Sequence, residues 1–275
     1  MDWQKYSSIN AEYARLTEYA QHVSATTVGV VPLDDRQRYG EKIYVKLLAH
    51  SLTLKQLAPD PDRKNAQELW DLGSMSSVAR CIVEAYDAMA YIALGSVASE
   101  EREFRVLLWE LHDVSRRIKM LEAVGTSDLQ FDHLRSLRRD LKRKVCQHSH
   151  FKSVNGSFAK KVNDDDPPPY YLSQRERCVE QGVNFDYYNV VTMQLSQYVH
   201  TLPFSIHQLF EFRAGTPEAL HVMSLPLKYS LAFLSRAVEG MSSLFPGKAS
   251  APNDAVRMTM AVWSDIAAKG VKRAA

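Results

Sequence analysis

Residues 74–94, SMSSVARCIVEAYDAMAYIAL, would present apolar side chains on nearly every face of a helix. A helix that is apolar almost all round is stable only where other elements cover it, so the rest of the chain must supply packing partners on most sides. One narrow stripe interrupts the pattern. At about 100° per residue, Arg80, Glu84, Asp87 and Tyr91 fall within roughly 60° of one another, and Ser76 and Ser77 extend the stripe toward the N-terminus. The stripe must face either water or an internal polar site, because a lone buried charge costs several kcal/mol.

Composition agrees with a helical interior. Of 275 residues, 45% are hydrophobic, which is enough for a sizeable core and excludes disorder as the main state. Glycine and proline number only 11 each, fewer than a turn-rich β fold needs. The net charge of +2 excludes a uniformly basic nucleic-acid binder but leaves room for a local basic face. No run approaches the 18–20 apolar residues of a membrane span, and MDWQKYSSINAEYARL lacks the apolar segment of a signal peptide. Cys81, Cys146 and Cys178 are too scattered for a disulfide framework. The expectation is a cytoplasmic protein without membrane contact, with Cys81 as a small core residue.

Helical spacing recurs along the chain. Segments 3–22, 36–57, 100–123, 127–150, 172–181, 185–199, 217–245 and 253–268 repeat apolar residues at intervals of three and four. Segment 204–212 is short and apolar, Pro226 marks a kink or interruption in 217–245, and no strand alternation persists. Ser99 reads as an N-cap, Gly125 as a C-terminal stop, APDPDRKN as a break and KGVKRAA as a frayed tail. The fold class is therefore all-α, a multi-helix bundle of about eight helices in a single domain over 1–275. The acidic and Pro-rich stretch 153–171 cannot continue a helix through DDDPPP. It is either a surface loop or a boundary between an N-terminal four-helix part and a C-terminal helical part.

Three groups could carry chemistry. Arg80 and Glu84 stand at i,i+4 and can pair along their helix, either as a solvated stripe or as part of an internal cluster. Arg105, His112 and Arg116 share one face of the next helix with Trp109 and Lys119, a surface suited to phosphate or to plain solvation. Arg105 is the member expected to point inward. Ser196 and His200 lie near a helix end that Pro203 helps terminate. Such a His can serve as an acid or base, or cap carbonyls. Cys146, His148 and His150 alternate without a fourth ligand, so no metal and no cofactor are expected. The run RSLRRDLKRKVCQHSHFK is basic enough to touch RNA, and equally reads as a solvated helix face.

The segments WDLGSMSSVARCIVEAYDAMAYIAL and EEREFRVLLWELHDVSRR, with Ser196, Tyr198 and His200 as Ser-x-Tyr-x-His, resemble a group of uncharacterised bacterial helical proteins. In that group a Ser-x-x-Arg-x-x-x-Glu helix precedes an Arg-bearing helix. The resemblance spans about residues 40–212 and extends to an outlying branch of the HEPN-like proteins. It implies a HEPN-like core, a homodimer, and a metal-independent ribonuclease of anti-phage defence or a toxin system, with an antitoxin or defence partner. The HEPN pattern, Arg followed after four to six residues by His, has formal matches in Arg15–His22, Arg105–His112, Arg143–His148 and Arg143–His150. Under this reading His200, Arg105 and His112 are catalytic, and Arg80, Glu84, Ser196 and Tyr198 bind RNA or a nucleotide. The alternative is a non-catalytic helical binding or regulatory protein, in which the same cluster is structural or holds a small anion.

Overall fold

A computed structural model of the chain describes residues 1–62, 69–125 and 129–271, with backbone alone for 129 and 130. Residues 63–65 of the expected break, the Leu129 side chain and the tail at 272–275 lie outside the described residues. Among the described residues there are eleven α-helices and no strand, rather than about eight helices. In order they are α1 (Trp3–Ala25), α2 (Asp35–Leu57), α3 (Leu72–Met89), α4 (Ser99–Ala123), α5 (Leu129–Gln147), α6 (Gly156–Asn163), α7 (Gln174–Glu180), α8 (Phe185–Val199), α9 (Pro203–Glu211), α10 (Pro217–Leu244) and α11 (Asp254–Lys269). A π-helical turn, Ala90–Leu94, continues α3, and a 3₁₀ turn, Ser149–Ser153, follows α5.

The chain divides into two compact units: Met1–Leu94 together with Arg177–Ala275, and the stretch between them, Gly95–Glu176. The second boundary falls inside α7, and segment 153–171 lies wholly within the second unit.

In the first unit α3 is the central helix, packed by α2, α8 and α10, and α10 also meets α1, α2 and α11. Met75, Ala79, Ile82, Val83 and Met89 of α3 are fully buried, as the all-round apolar pattern requires. Cys81 is only partly buried. Short polar side chains start the helices. Asp2, Asp34, Asp71, Asn184, Thr216 and Asn253 each accept from the backbone N–H three residues on, satisfying an otherwise unpaired donor. Helix α10 runs unbroken through the buried Pro226. At the π turn two helices approach closely. A Cβ on Gly40 of α2 would stand 3.1 Å from Ala93 Cβ, and one on Gly240 of α10 would stand 2.3 Å from Leu94 Cδ1. A larger residue at either position would force the Leu94 or Leu244 side chain to shift.

The second unit has its own core. Phe104, Leu108, Leu111, Val114 and Ile118 of α4 pack with Phe131, Leu141 and Val145 of α5. Ser99 is the first residue of α4 rather than its cap; Ala98 stands at the cap position and makes no side-chain bond there. Gly125 does end the helix, at φ +72°. The unexpected element is α6, which lies inside the predicted loop. Asn155 caps it by accepting from Phe158 N at 2.8 Å, and Phe158 and Val162 enter the core. Burying those two side chains is worth roughly 1.5–3 kcal/mol each, enough to fold a short helix beside a stretch that cannot be helical.

Candidate functional site

The polar stripe of α3 grades from surface to interior. Glu84 is exposed, Arg80 is partly buried, and Asp87 and Tyr91 are buried. Arg80 Nε donates to Glu84 Oε1 at 2.7 Å. Its Nη1 donates to the Thr192 carbonyl at 2.7 Å and to Ser196 Oγ at 3.0 Å. Ser196 Oγ also donates to the Thr192 carbonyl, at 2.7 Å. Three of the expected residues, Arg80, Glu84 and Ser196, therefore do meet, and the guanidinium ties α3 to α8.

The deepest charges of this unit lie elsewhere. Asp87 accepts from Arg177 of α7 in a forked arrangement, Nε at 3.2 and 3.1 Å and Nη2 at 2.9 Å. The two side chains are only 5% and 9% exposed. Gln181 Nε2 adds a third donor, at 2.8 Å to Asp87 Oδ1. Arg236 of α10 donates to the Gln181 carbonyl, and its Nε donates to Tyr86 Oη at 2.8 Å. Burial pushes the Tyr86 phenol upward, so it stays neutral. The result is a chain of hydrogen bonds joining α3, α7 and α10. None of Asp87, Arg177, Gln181 and Arg236 was among the expected site residues. One signal was present: an Asp flanked by Tyr86, Ala88, Met89 and Ala90 needs a cation from elsewhere, and Arg177 and Gln181 sit at i,i+4 on one helix face.

His200 follows the last turn of α8 and is exposed. Its backbone N–H bonds to the Ser196 carbonyl at 3.1 Å, so the main chain closes the helix. Tyr198 donates to Gln208 Oε1 of α9.

Arg105 and His112 belong to the second unit. Arg105 is 0% exposed, which fits the expectation that it points inward. It reaches Glu101 one turn earlier, with Nε at 3.0 Å and Nη2 closer still. Tyr171 donates to the same carboxylate and lies beside the guanidinium. Burial raises the Glu101 pKa, but the bonds from Tyr171 and Arg105 outweigh it, and the net shift is downward. Burial first, and then the bond to Glu101, pushes Tyr171 upward. The carboxylate is ionised and the phenol neutral at neutral pH. His112 Nδ1 donates to the Pro167 carbonyl at 2.8 Å.

The α4 face that carries His112, Arg116 and Lys119 is thus the seat of the acidic and Pro-rich segment. Lys119 Nζ reaches Asp166 Oδ1 at 2.6 Å, and Arg116 reaches it at 3.3 Å. From α5, Lys142 reaches Asp165 at 2.8 Å and Arg138 reaches it at 3.7 Å. The Lys119 ammonium, followed by Arg116 and Lys161, holds Asp166 below the usual carboxylate range. Trp109 meets Tyr170 edge-on. On α5, Arg135, Arg139 and Arg143 form an exposed stripe at i, i+4 and i+8.

No group of His, Cys, Asp and Glu that could hold a metal ion occurs among the described residues. His148 accepts from His150 N at 3.1 Å, and both rings pack on Phe104. No described helix is long and apolar enough to cross a membrane. Comparison of the chain with protein-family models, curated proteins and solved structures gives no match.

Proposed function

We propose that this chain is a non-catalytic, RNA-directed binding protein: the first unit is a scaffold with a buried ion pair, Asp87–Arg177, and the second carries the RNA-binding surface. The observation that carries the proposal is the contrast among its arginines. Arg80 is engaged by Glu84, Ser196 and a carbonyl. Arg105 is fully buried against Glu101. A scissile phosphate needs donors that it can reach; Arg105 offers none, and Arg80, with a quarter of its side chain exposed, commits Nε and Nη1 to Glu84, Ser196 and the carbonyl. Arg135, Arg139 and Arg143 are exposed, one helical turn (about 6 Å) apart; Arg135 and Arg143 meet solvent-open carboxylates, Glu122 and Asp140, each at 3.3 Å. Residues 95–176 also hold the whole charge surplus of the chain, with 15 Lys and Arg against 13 Asp and Glu.

Contacts of this kind follow the phosphate backbone and carry little sequence information. Binding therefore weakens as salt rises, with a slope of about −0.7 per phosphate neutralised on a single strand. Fluorescence anisotropy with a labelled oligouridylate, at about 50 and about 200 mM salt, measures this. The same RNA, run on a gel after incubation, reports cleavage. Salt-sensitive binding to intact RNA supports the proposal. Absence of binding at the lower salt removes it. Cleavage that is lost in His112→Ala or His200→Ala restores the ribonuclease reading. The homodimer expectation also enters here as a proposal: light scattering on the full chain supports it at two chains per particle and removes it at one.

A further inference from the structure

We propose that Arg116 and Lys119 of α4, with Arg138 and Lys142 of α5, form a phosphate-binding site, and that Asp165 and Asp166 occupy it as resident anions which an RNA backbone displaces. This inference rests on the RNA-binding reading and identifies the groups that would bind beside the α5 stripe.

The four cations come from two helices and meet two successive carboxylates, each held by one Lys and one Arg. A carboxylate and a phosphate offer the same acceptor oxygens to such pairs, and Arg is suited to both. Two adjacent acidic side chains on four cations therefore reproduce what successive backbone phosphates would present. The contacts are also exchangeable. Asp166, Arg116 and Lys119 are 48%, 50% and 43% exposed, and Asp165 is 42% exposed, with its partners Lys142 and Arg138 more covered at 29% and 21%. The Asp166 pairs, open to water, are weak and screened by salt, and the Asp165 pairs keep their carboxylate in contact with solvent.

The rest of the segment is fixed independently. Pro167 accepts from His112, and Tyr170 packs on Trp109. Only the two carboxylates need to leave. Asp164, Asp165 and Asp166 close α6 in a turn: Asp166 N bonds to the Lys161 carbonyl at 2.9 Å and Asp165 N to that of Val162 at 3.3 Å. Asp165 takes φ +57° at the position in this turn where glycine is favoured. Asp165→Gly thus removes a carboxylate and suits the turn at the same time.

The test is Asp165→Gly with Asp166→Asn in the full chain, measured by anisotropy with labelled oligouridylate. The expected result is binding about tenfold tighter than wild type at low salt, with a salt slope steeper by about 2 to 3, as four cations become available. Asp166→Asn alone should show a smaller gain in the same direction, and it keeps the test valid if the double variant folds poorly. Adding Lys119→Gln and Lys142→Gln to the double variant should abolish the gain. If wild type binds RNA and neither Asp variant binds tighter, the resident-anion proposal is overturned while the RNA-binding reading stands. A gain that survives the two Lys→Gln changes also overturns it, because the site is then elsewhere. If neither the wild type nor any variant binds, both fall.

Discussion

The carboxylates of this protein meet cations in two opposite settings. In the first unit Asp87 is closed in by the fork of Arg177 and the Gln181 amide, with both charged side chains under 10% exposed. In the second, Asp165 and Asp166 lie on Lys142, Arg138, Lys119 and Arg116, all open to water to differing degrees. The chemistry of the pairs is nearly the same, and the environment decides what each can do. Removing one partner from a buried pair strands a charge in a low-dielectric interior, so the pair is bound up with the fold. An exposed pair can trade its carboxylate for another anion at small cost. A charged cluster at the heart of a bundle is therefore the poorer candidate for a ligand site here, although it is the more conspicuous one.

The comparison is tested most severely at Arg177. Arg177→Ala should destabilise the protein by about 3–5 kcal/mol, read by thermal or denaturant unfolding, because Asp87 loses its counter-ion. Replacing both partners, as Asp87→Leu with Arg177→Met, should recover most of that loss. If the single variant melts like wild type, Asp87 is not a buried structural charge.

Arg105→Ala should cost roughly 2 kcal/mol, less than Arg177→Ala because Glu101 keeps some access to water. Arg80→Ala should cost about 1 kcal/mol, the scale of its bonds to the Thr192 carbonyl and Ser196. A loss at Arg80 larger than at Arg177 would invert the proposed order of burial.

Acid should separate the units further. The folded-state pKa of Glu101 is depressed, so its contribution to stability is complete above its unfolded value of 4.5 and fades as pH falls through the lower folded value. Tyr171→Phe, which removes one donor to that carboxylate, should make the loss below pH 4.5 shallower in urea titrations. The smallest effect is expected at His200. It is exposed, so His200→Ala should stay within about 0.5 kcal/mol of wild type.

Much of the fold was legible because it rests on apolar spacing. The all-round pattern of 74–94 located the central helix, and α8 matches its predicted span of 185–199. The π turn was not legible, because a shift of hydrogen-bond register leaves no mark on hydrophobic spacing. Helix α6 was hidden by its neighbours: VNGSFAKKVN offers only Val154, Phe158 and Val162 at intervals of four before DDDPPP. At the candidate site, Arg80 and Glu84 were visible as a local i,i+4 pair, and Ser196 joined them as expected. Asp87 stands in the same stripe without a visible partner, because Arg177 lies ninety residues away. Spacing rules see pairs within one helix; pairs between helices depend on how the bundle packs.

The most direct measurement compares two variants on one labelled oligouridylate: Arg135→Ala/Arg139→Ala/Arg143→Ala on the surface of the second unit, and Arg80→Ala at the contact of α3 with α8 in the first. The triple variant should lose about tenfold or more in RNA affinity, with a salt slope shallower by about 2. Arg80→Ala should bind as wild type while melting at lower temperature. Loss of RNA binding in a folded Arg80→Ala, with the triple variant binding as wild type, would contradict an RNA-binding surface on the second unit.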